Sequence, residues 1–434
     1  MTDNSQRGPR IHLNPKVKDL KPSATLTINE RCDALRREGR AITKFGLGQS
    51  PFPVPESVVQ ALKDNAHQKD YLPVMGLRAL CDAVAHYHRR RDGLECTGDG
   101  VLIGPGSKEL LFIAQLAYCG ELIIPSPSWV SYAPQASIIG QSVRWIETQQ
   151  SDGYRLTPSG LDATCRLDPD RPRLLILNYP NNPSGSSYTA NALAELAEVA
   201  RARKLLVLSD EIYGEVHHEG NHVSIAKFYP EGTIISAGLS KWCGAGGWRL
   251  GTFLFPPALR WLQETMATIA SKTFTATSAP IQYAAVRAFK GGDDIQQYLG
   301  HSRRILKALA TRMVSAFEAV GIHVVAPAGG FYLFLDFSTH EGELASRGIT
   351  CGRQLTHRLL DEAGIAILPG EDFGRPSQEL SARLAYVNFD GTAALAAAAQ
   401  SPIDIPLPDS ALDATCAEAI EGAHRLCRWI AGKQ

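Results

Sequence analysis

The sequence has no charge surplus of either sign. Its 44 Lys and Arg residues balance 44 Asp and Glu residues over 434 positions. No long-range field therefore favours nucleic acid or an anionic membrane surface as partner, although a small basic pocket for one anion remains compatible with this balance. Long apolar runs are missing too: stretches such as Leu205–Leu208 have the length of a strand, not of a membrane span. The opening segment Met1–Arg10 is polar and lacks the apolar core of a secretory signal. The nine cysteines are odd in number and form no Cys-x-x-Cys pair, which argues against a disulfide framework or a structural zinc site, so no metal is expected. Reduced thiols in a cytoplasmic protein are the expectation. There is no internal repeat and no long low-complexity tract. No Gly-x-Gly-x-x-Gly follows a strand-like run, and Gly244-Ala-Gly-Gly247 has the wrong spacing, which removes support for a nicotinamide-binding unit.

Within these bounds, 44% of residues are hydrophobic and 20% charged, enough to bury a sizeable core in two domains or in one large fold with an appendage. After an extended arm, helices are predicted over Thr27–Arg37, Ser57–Asn65 and Leu77–Arg90. From about residue 100, short continuous apolar runs recur at Val101–Ile103, Leu122–Ile124, Leu174–Leu177, Leu205–Leu208, Thr233–Ile235 and Thr252–Phe255, with helical stretches such as Lys108–Ala117 and Ala190–Lys204 between them. Continuous apolar strands alternating with helices predict an α/β fold: a mostly parallel sheet flanked by helices. Asp294–Val320 is expected to form one or two helices. A smaller α+β domain is expected to start near the Gly330-Phe-Tyr-Leu-Phe-Leu335 run, to include a helix at Gly352–Ala363, and to be completed by the N-terminal segment. The Ala-rich Thr392–Gln400 and the Pro-rich 402–408 suggest a helix or linker before a final helix, Leu412–Ala431. The expected division is residues 1–52 as arm and part of the small domain, 53–310 as the large domain and 311–434 as the small C-terminal domain.

Open parallel sheets bind ligands at the carboxyl ends of their strands. Residues following each apolar run are therefore the ones to weigh: Gly104-Pro-Gly-Ser-Lys108, Asn178-Tyr-Pro-Asn-Asn-Pro-Ser-Gly185, Ser209-Asp-Glu-Ile-Tyr213 and the segment from Ser236 through Ser240-Lys241 to Arg249-Leu-Gly251. Singly, each has an ordinary explanation. Asp210 suits a cap, Lys241 a surface lysine, Asn182-Pro183 a turn, Gly106-Ser107 a strand-to-helix junction, Arg249 a salt bridge and Trp129 the core. Their gathering at successive strand ends is what those explanations do not supply. A lysine can form a Schiff base with an aldehyde, a carboxylate can hold a ring nitrogen protonated, and a helix N-terminus with Ser and Arg can bind a phosphate. Aldehyde, ring nitrogen and phosphate together describe pyridoxal 5'-phosphate, an electron sink.

On these residues the chain resembles the fold-type I pyridoxal-phosphate enzymes of the class I/II aminotransferase family, from about Phe45 to about Asn388. Three motifs carry the resemblance: Asn-x-Pro-x-Asn-Pro-Ser-Gly at 178–185, Asp-x-x-Tyr at 210–213 and Ser-Lys-x7-Arg-x-Gly at 240–251. It implies that Lys241 binds the cofactor and carries the proton, that Asp210 pairs with the ring nitrogen, and that Asn182 and Tyr213 hydrogen-bond the ring hydroxyl. It further implies that Ser107, Lys108, Arg249 and Ser240 attend the phosphate, that Trp129 stacks on the ring, and that Tyr71 reaches the phosphate of the other subunit of a homodimer with shared active sites. Arg383 would clamp the substrate α-carboxylate, a task to which lysine is poorly suited, and Gly48 would lend its backbone N–H to the same group. The chain departs from the family at Gly238, where many relatives carry Ser, and after Asn388, where a surface excursion is expected.

The implied activity is ping-pong transfer of an amino group from an L-amino acid to a 2-oxo acid. Another reaction of the same cofactor, namely β-elimination, cyclisation or oxidation, is open on the same residues, as is, with less support, a non-catalytic ligand-binding module. Trp129, Trp242 and Phe52 are candidates to shape a side-chain pocket, with simple packing against the sheet the alternative for Trp242.

Overall fold

The computed structural model describes residues 12–18, 20 and 22–432, so the Met1–Arg10 segment lies outside the described residues. Seven strands form one sheet in the order Val101–Gly104, Gly251–Leu254, Thr233–Gly238, Leu206–Asp210, Arg173–Asn178, Glu121–Ser126 and Val143–Glu147. All run parallel except Gly251–Leu254, which is antiparallel to both neighbours. The strands Arg173–Asn178, Leu206–Asp210 and Thr233–Gly238 are buried at every position. This follows from the two covered faces. Leu174, Ile176, Leu206 and Leu208 point to the side of helices Ser107–Ala117 and Arg260–Lys272. The alternate residues Leu175, Leu177 and Val207 meet Leu193 and Leu196 of helix Ala190–Ala202. The edge strand Val143–Glu147 was not among the expected runs. It is only partly covered, with Trp145 40% exposed, and its sequence VRWIE has no continuous apolar stretch.

A smaller antiparallel sheet has the order Leu368–Pro369, Ser381–Ala385, Tyr332–Asp336, His323–Val324. The N-terminal segment packs into the same unit through a separate two-stranded sheet, as expected. Thr43–Lys44 pairs in parallel with Ile365–Ala366, and helix Ala24–Arg37 buries Cys32 and Leu35 against Leu360 and Ala366. The smaller unit is thus built from both ends of the chain.

Several helical boundaries differ from expectation. The stretch near 294–320 forms a single helix, Asp293–Glu318. The expected last helix, Leu412–Ala431, is instead two, Asp409–Thr415 and Ala417–Ile430, because Cys416 leaves helical geometry at φ −115°, ψ 17°. The Ala-rich stretch is helical over Gly391–Ala398, started by the Asp390 carboxylate accepting from the backbone N–H groups of Thr392 and Ala393. The loop after it is held by the Arg304 guanidinium, which donates to the carbonyls of Ala398, Pro402 and Ile405 and to Ser401 Oγ. The helix packs Ala394 and Ala398 into the core, and none of residues 391–408 lines the central cleft. Among the described residues, no helix is long and apolar enough to cross a membrane.

Candidate active site

A cleft of about 500 Å³ opens at the carboxyl ends of the parallel strands, bounded on its other side by the small sheet. Beside the cleft three glycines stand in register, Gly104 opposite Gly251 and Gly251 opposite Gly238. A Cβ on Gly251 would overlap the backbone of Gly106 and Ser107, so only glycine lets the Gly106–Ser107 turn lie against the sheet. A Cβ on Gly238 would stand 2.7 Å from the Leu250 carbonyl oxygen, which accounts for the departure from Ser at this position. Gly106 adopts φ 92°, and the helix Ser107–Ala117 starts directly after it, aiming its free N–H groups at the cleft. Arg249 closes this cup: its guanidinium donates to the carbonyls of Pro105 and Gly246 at 3.3 and 3.1 Å. A Cβ on Gly106 would collide with that guanidinium. Dipole, backbone donors and a forked cation together make an anion cup.

Beside the cup stand Asp210 and Lys241. Asp210 ends its strand and is 3% exposed. The Tyr132 phenol donates to its Oδ2 at 2.5 Å, and Ser236 Oγ donates to its Oδ1 at 3.3 Å. Burial pushes the Asp210 carboxyl up to about 6, a rise that the Tyr132 bond opposes. The adjacent Glu211 anchors this strand end from behind. It accepts from Arg91 at 2.6 Å, His222 at 2.8 Å, Ser209 at 2.9 Å and Ser224 at 2.5 Å. Lys241 is half-buried, and its Nζ donates to the Gly48 carbonyl at 2.7 Å. Desolvation, reinforced by the Arg383 charge, brings its amine down to about 8. A lysine so placed has a far larger unprotonated fraction near neutral pH than an exposed one.

From the small sheet comes Arg383, 1% exposed in strand Ser381–Ala385. Its guanidinium carbon lies 4.9 Å from the ring centroids of both Tyr332 and Phe373. It donates to Asn182 Oδ1 at 3.2 Å and to the Gly46 carbonyl, while its Nε is buried without a partner. A desolvated, aromatic-sandwiched fork with an unused donor is suited to a carboxylate. Tyr213 and Tyr332 share a hydrogen bond of 2.8 Å between their hydroxyls. A Cβ on Gly48 would collide with the Tyr332 hydroxyl, so the glycine there clears room.

Of the residues expected to form the site, Gly48, Ser107, Lys108, Trp129, Asn182, Asp210, Tyr213, Ser240, Lys241, Arg249 and Arg383 all line the cleft. Tyr71 does not: it is 92% exposed and stands outside the cleft of its own chain. Gly48 presents its carbonyl to Lys241. Trp242 and Phe52 are buried core residues away from the cleft, Trp242 edge-on to Phe289 and Phe52 edge-on to Phe389. The sequence assigned no role to Tyr132 or Tyr332, nor to Ser23, Thr25 and Leu26 at the start of the first helix, and Asn178 was expected only as the first residue of its motif. The sequence signals for the two tyrosines are weak. Tyr132 follows Trp129 by three residues and Tyr332 follows Gly329-Gly330, but both have the composition of ordinary core aromatics.

The donor set fits pyridoxal 5'-phosphate. A buried carboxylate could meet a ring nitrogen, an amine of lowered basicity an aldehyde and Trp129 an aromatic ring, and the Gly106–Ser107 cup with Arg249 could take a phosphate. Comparison with known proteins agrees. Residues 40–391 match the model of the family described as aminotransferase class I and II. The chain is 31% identical to the aspartate aminotransferase of Bacillus sp. (strain YM-2), over 84% of this chain and 93% of the relative. It is also 31% identical to the aspartate/prephenate aminotransferase of Thermus thermophilus, over 83% and 91%. The solved structure of the T. thermophilus aspartate aminotransferase with maleate superposes with a TM-score of 0.82 at 27% identity, covering 96% of this chain and all of that one. The aspartate aminotransferase of Rhizobium meliloti superposes equally well, with a TM-score of 0.82 at 27% identity over 96% and 99%. The chain belongs to the class I and II aminotransferase family, and is a transaminase that moves an amino group between amino acids and 2-oxo acids with pyridoxal 5'-phosphate.

Proposed function

We propose that this transaminase acts on a dicarboxylic amino acid of the aspartate type, with the residues of the cleft in the following roles. The cofactor, when bound, supplies the electron sink on which amino transfer depends. Asp210 holds its ring nitrogen, with Asn182 and Tyr213 at the ring hydroxyl and Trp129 against the ring face. The Ser107 N-terminus, Arg249 and Ser240 hold the phosphate. Arg383 binds the α-carboxylate through its unpartnered Nε and the Nη that now rests on Asn182. Lys241 Nζ removes and returns the proton at Cα, which its value of about 8 equips it to do near neutral pH.

One observation carries the substrate class. Once Arg249 serves the phosphate, Arg383 the α-carboxylate and Lys241 the chemistry, one cation lining the cleft among the described residues is left over, and we assign it to the substrate in place of the phosphate role that the family resemblance implied. That cation is Lys108, whose Nζ lies 5.0 Å from the Trp129 ring centroid. Burial and the nearby Arg249 charge hold its amine below the usual lysine value. A second carboxylate on the substrate would relieve both effects. The names of the relatives, aspartate and aspartate/prephenate aminotransferases, point the same way. The test compares kcat/KM for L-aspartate and L-alanine in the wild type and in Lys108→Gln. A charge-assisted bond of about 1.5–3 kcal/mol corresponds to a loss of about tenfold to a hundredfold. That loss is expected for aspartate and not for alanine; equal losses for both donors would refute the assignment.

We further infer a homodimer that shares its active sites. Tyr71 is exposed and away from its own cleft, as a residue serving a neighbour's phosphate must be. Gel filtration of the holoenzyme at assay concentration tests this, and an active monomer would contradict it. The free thiols, none of them paired among the described residues, suit a reducing cytoplasmic setting.

A further inference from the structure

Ser107, Asp210, Lys241 and Arg249 stand at the strand ends of the large sheet or in the helix and loops that join them, whereas Arg383 stands on a strand of the small sheet. Binding an amino acid against the cofactor therefore depends on the spacing between the two sheets. One crossing between them is built around Arg375, which does not line the cleft. Strand Leu368–Pro369 pairs with the Arg383 strand, Leu368 directly opposite Arg383, and runs into the turn Gly370–Phe373. Phe373 stacks on the Arg383 guanidinium. From there the chain is tied to the large sheet residue by residue. The Phe373 carbonyl accepts from the Ser128 N–H at 2.9 Å, and the Gly374 carbonyl accepts from Ser126 Oγ at 2.6 Å. The Arg375 Nη1 donates to the carbonyls of Thr148 and Ser126 at 2.9 and 3.3 Å. Ser126 closes the strand that leads to Trp129, and Thr148 follows the edge strand.

The Arg375 side chain is 7% exposed and fully engaged. Its Nε and Nη2 pair with Glu379 at 2.9 and 2.8 Å, its Nη2 reaches Glu147 at 3.6 Å, and the guanidinium lies 5.6 Å from the Tyr154 ring centroid. A planar fork can meet a carboxylate on one edge and two carbonyls on the other; a lysine ammonium cannot hold that geometry.

We propose that Arg375 is a positioning residue: it latches the Phe373–Gly374 turn to the Ser126 and Thr148 carbonyls and so fixes the distance of Arg383 from the Trp129 side of the cleft. It acts on substrate binding through Arg383, while Ser107, Asp210, Lys241 and Arg249, which Arg375 does not touch, keep their places. This rests on the reading of Arg383 as the α-carboxylate residue.

The experiment compares wild-type holoenzyme with Arg375→Ala, Arg375→Lys and Arg383→Lys. The measurements are cofactor affinity by titration of the apoenzyme, kcat and KM for L-aspartate, and the Kd of maleate by spectral titration. Arg375→Ala is expected to raise the aspartate KM and the maleate Kd by about tenfold, the scale of a displaced binding group, with cofactor affinity within about twofold of wild type. Arg375→Lys, which keeps the charge beside Glu379, is expected in between, and carries the test alone if the alanine variant does not fold. Substrate and maleate binding within about twofold of wild type in the arginine-375 variants would overturn the proposal, as would cofactor affinity falling in parallel. Maleate binding unchanged in Arg383→Lys would instead sink the reading of Arg383 itself.

Discussion

Tyr132 donates to a carboxylate that is buried and expected to be ionised when the cofactor is held, so Tyr132→Phe probes the electrostatics of the cleft with little change in shape. A hydrogen bond to a charged acceptor is worth about 1.5–3 kcal/mol, and one pKa unit about 1.36 kcal/mol. Removing the phenol should therefore raise Asp210 from about 6 by about one to two units, to about 7–8. The sign of the consequence is fixed by linkage. In the apoenzyme the folded value lies above the unfolded reference of 3.8, so the neutral acid is the form the fold prefers. Its stabilising contribution is fully present below the unfolded value and is lost as pH rises through the folded value. Apoenzyme stability should thus decline between about pH 4 and 6 in the wild type, and on to about pH 7–8 in the variant. Cofactor affinity shows the opposite slope, because a protonated ring nitrogen needs an ionised partner. It should fall as pH drops through the Asp210 value, and the midpoint of that fall should lie about one to two pH units higher in the variant. Titrating both apoenzymes with cofactor from pH 5 to 9 and taking the ratio removes the cofactor's own ionisations. A midpoint displaced by less than about 0.3 unit, or displaced downward, would refute Tyr132 as the donor that holds Asp210 ionised.

Four further substitutions follow from the same geometry. Gly251→Ala drives a Cβ into the backbone of Gly106 and Ser107; overpacking of about 1–3 kcal/mol should lift the helix start and weaken cofactor binding by about fivefold or more in apoenzyme titrations. Gly247→Ala, whose Cβ meets nothing within 4 Å, should leave that affinity unchanged. Lys241→Ala should reduce turnover by at least about a hundredfold, the lower end for a positioned acid–base group, and borohydride treatment of the holoenzyme should leave no cofactor mass on the chain; near-normal turnover would end its assignment. Arg304→Met strips the donors from the carbonyls of Ala398, Pro402 and Ile405 and should cost about 2–4 kcal/mol in urea denaturation of the holoenzyme. Because residues 391–408 stand clear of the cleft, kcat should not change.

The parts of the site legible in the sequence are those whose position along a strand coincides with an unusual residue type. Asp210, Lys241, Asn182 and Arg249 each follow or flank a continuous apolar run, and the doubly covered sheet makes such runs conspicuous. Tyr132 and Tyr332 were not legible, because a buried phenol that holds a carboxylate and one that merely packs have the same local sequence. The difference lies in a partner far along the chain, Asp210 for the first and Tyr213 for the second. The same holds for Arg375, which in the sequence is one basic residue in a Gly- and Pro-containing turn. The edge strand Val143–Glu147 escaped for a different reason: with one side half open, it carries charge where the inner strands carry only apolar residues.

Whole-chain charge illustrates how far such reasoning reaches. A net charge of zero argues against a long-range partner, yet Lys108, Lys241, Arg249 and Arg383 converge on a cleft whose lining has Asp210 as its acid among the described residues. The two facts are compatible because acids elsewhere are taken up by other arginines, as in Arg201 with Glu231, Arg287 with Asp294 and Arg353 with Glu371. Those pairs keep at least one side chain substantially open to solvent and contribute little to stability. They do, however, leave the cations of the cleft without acid partners beyond Asp210, and two of them, Lys108 and Lys241, are pushed below their ordinary values as a result of burial and mutual repulsion. An anion entering a cleft in that condition would relieve that repulsion, so on the proposed assignments specificity for phosphate, α-carboxylate and side-chain carboxylate would come down to which cation each anion can reach.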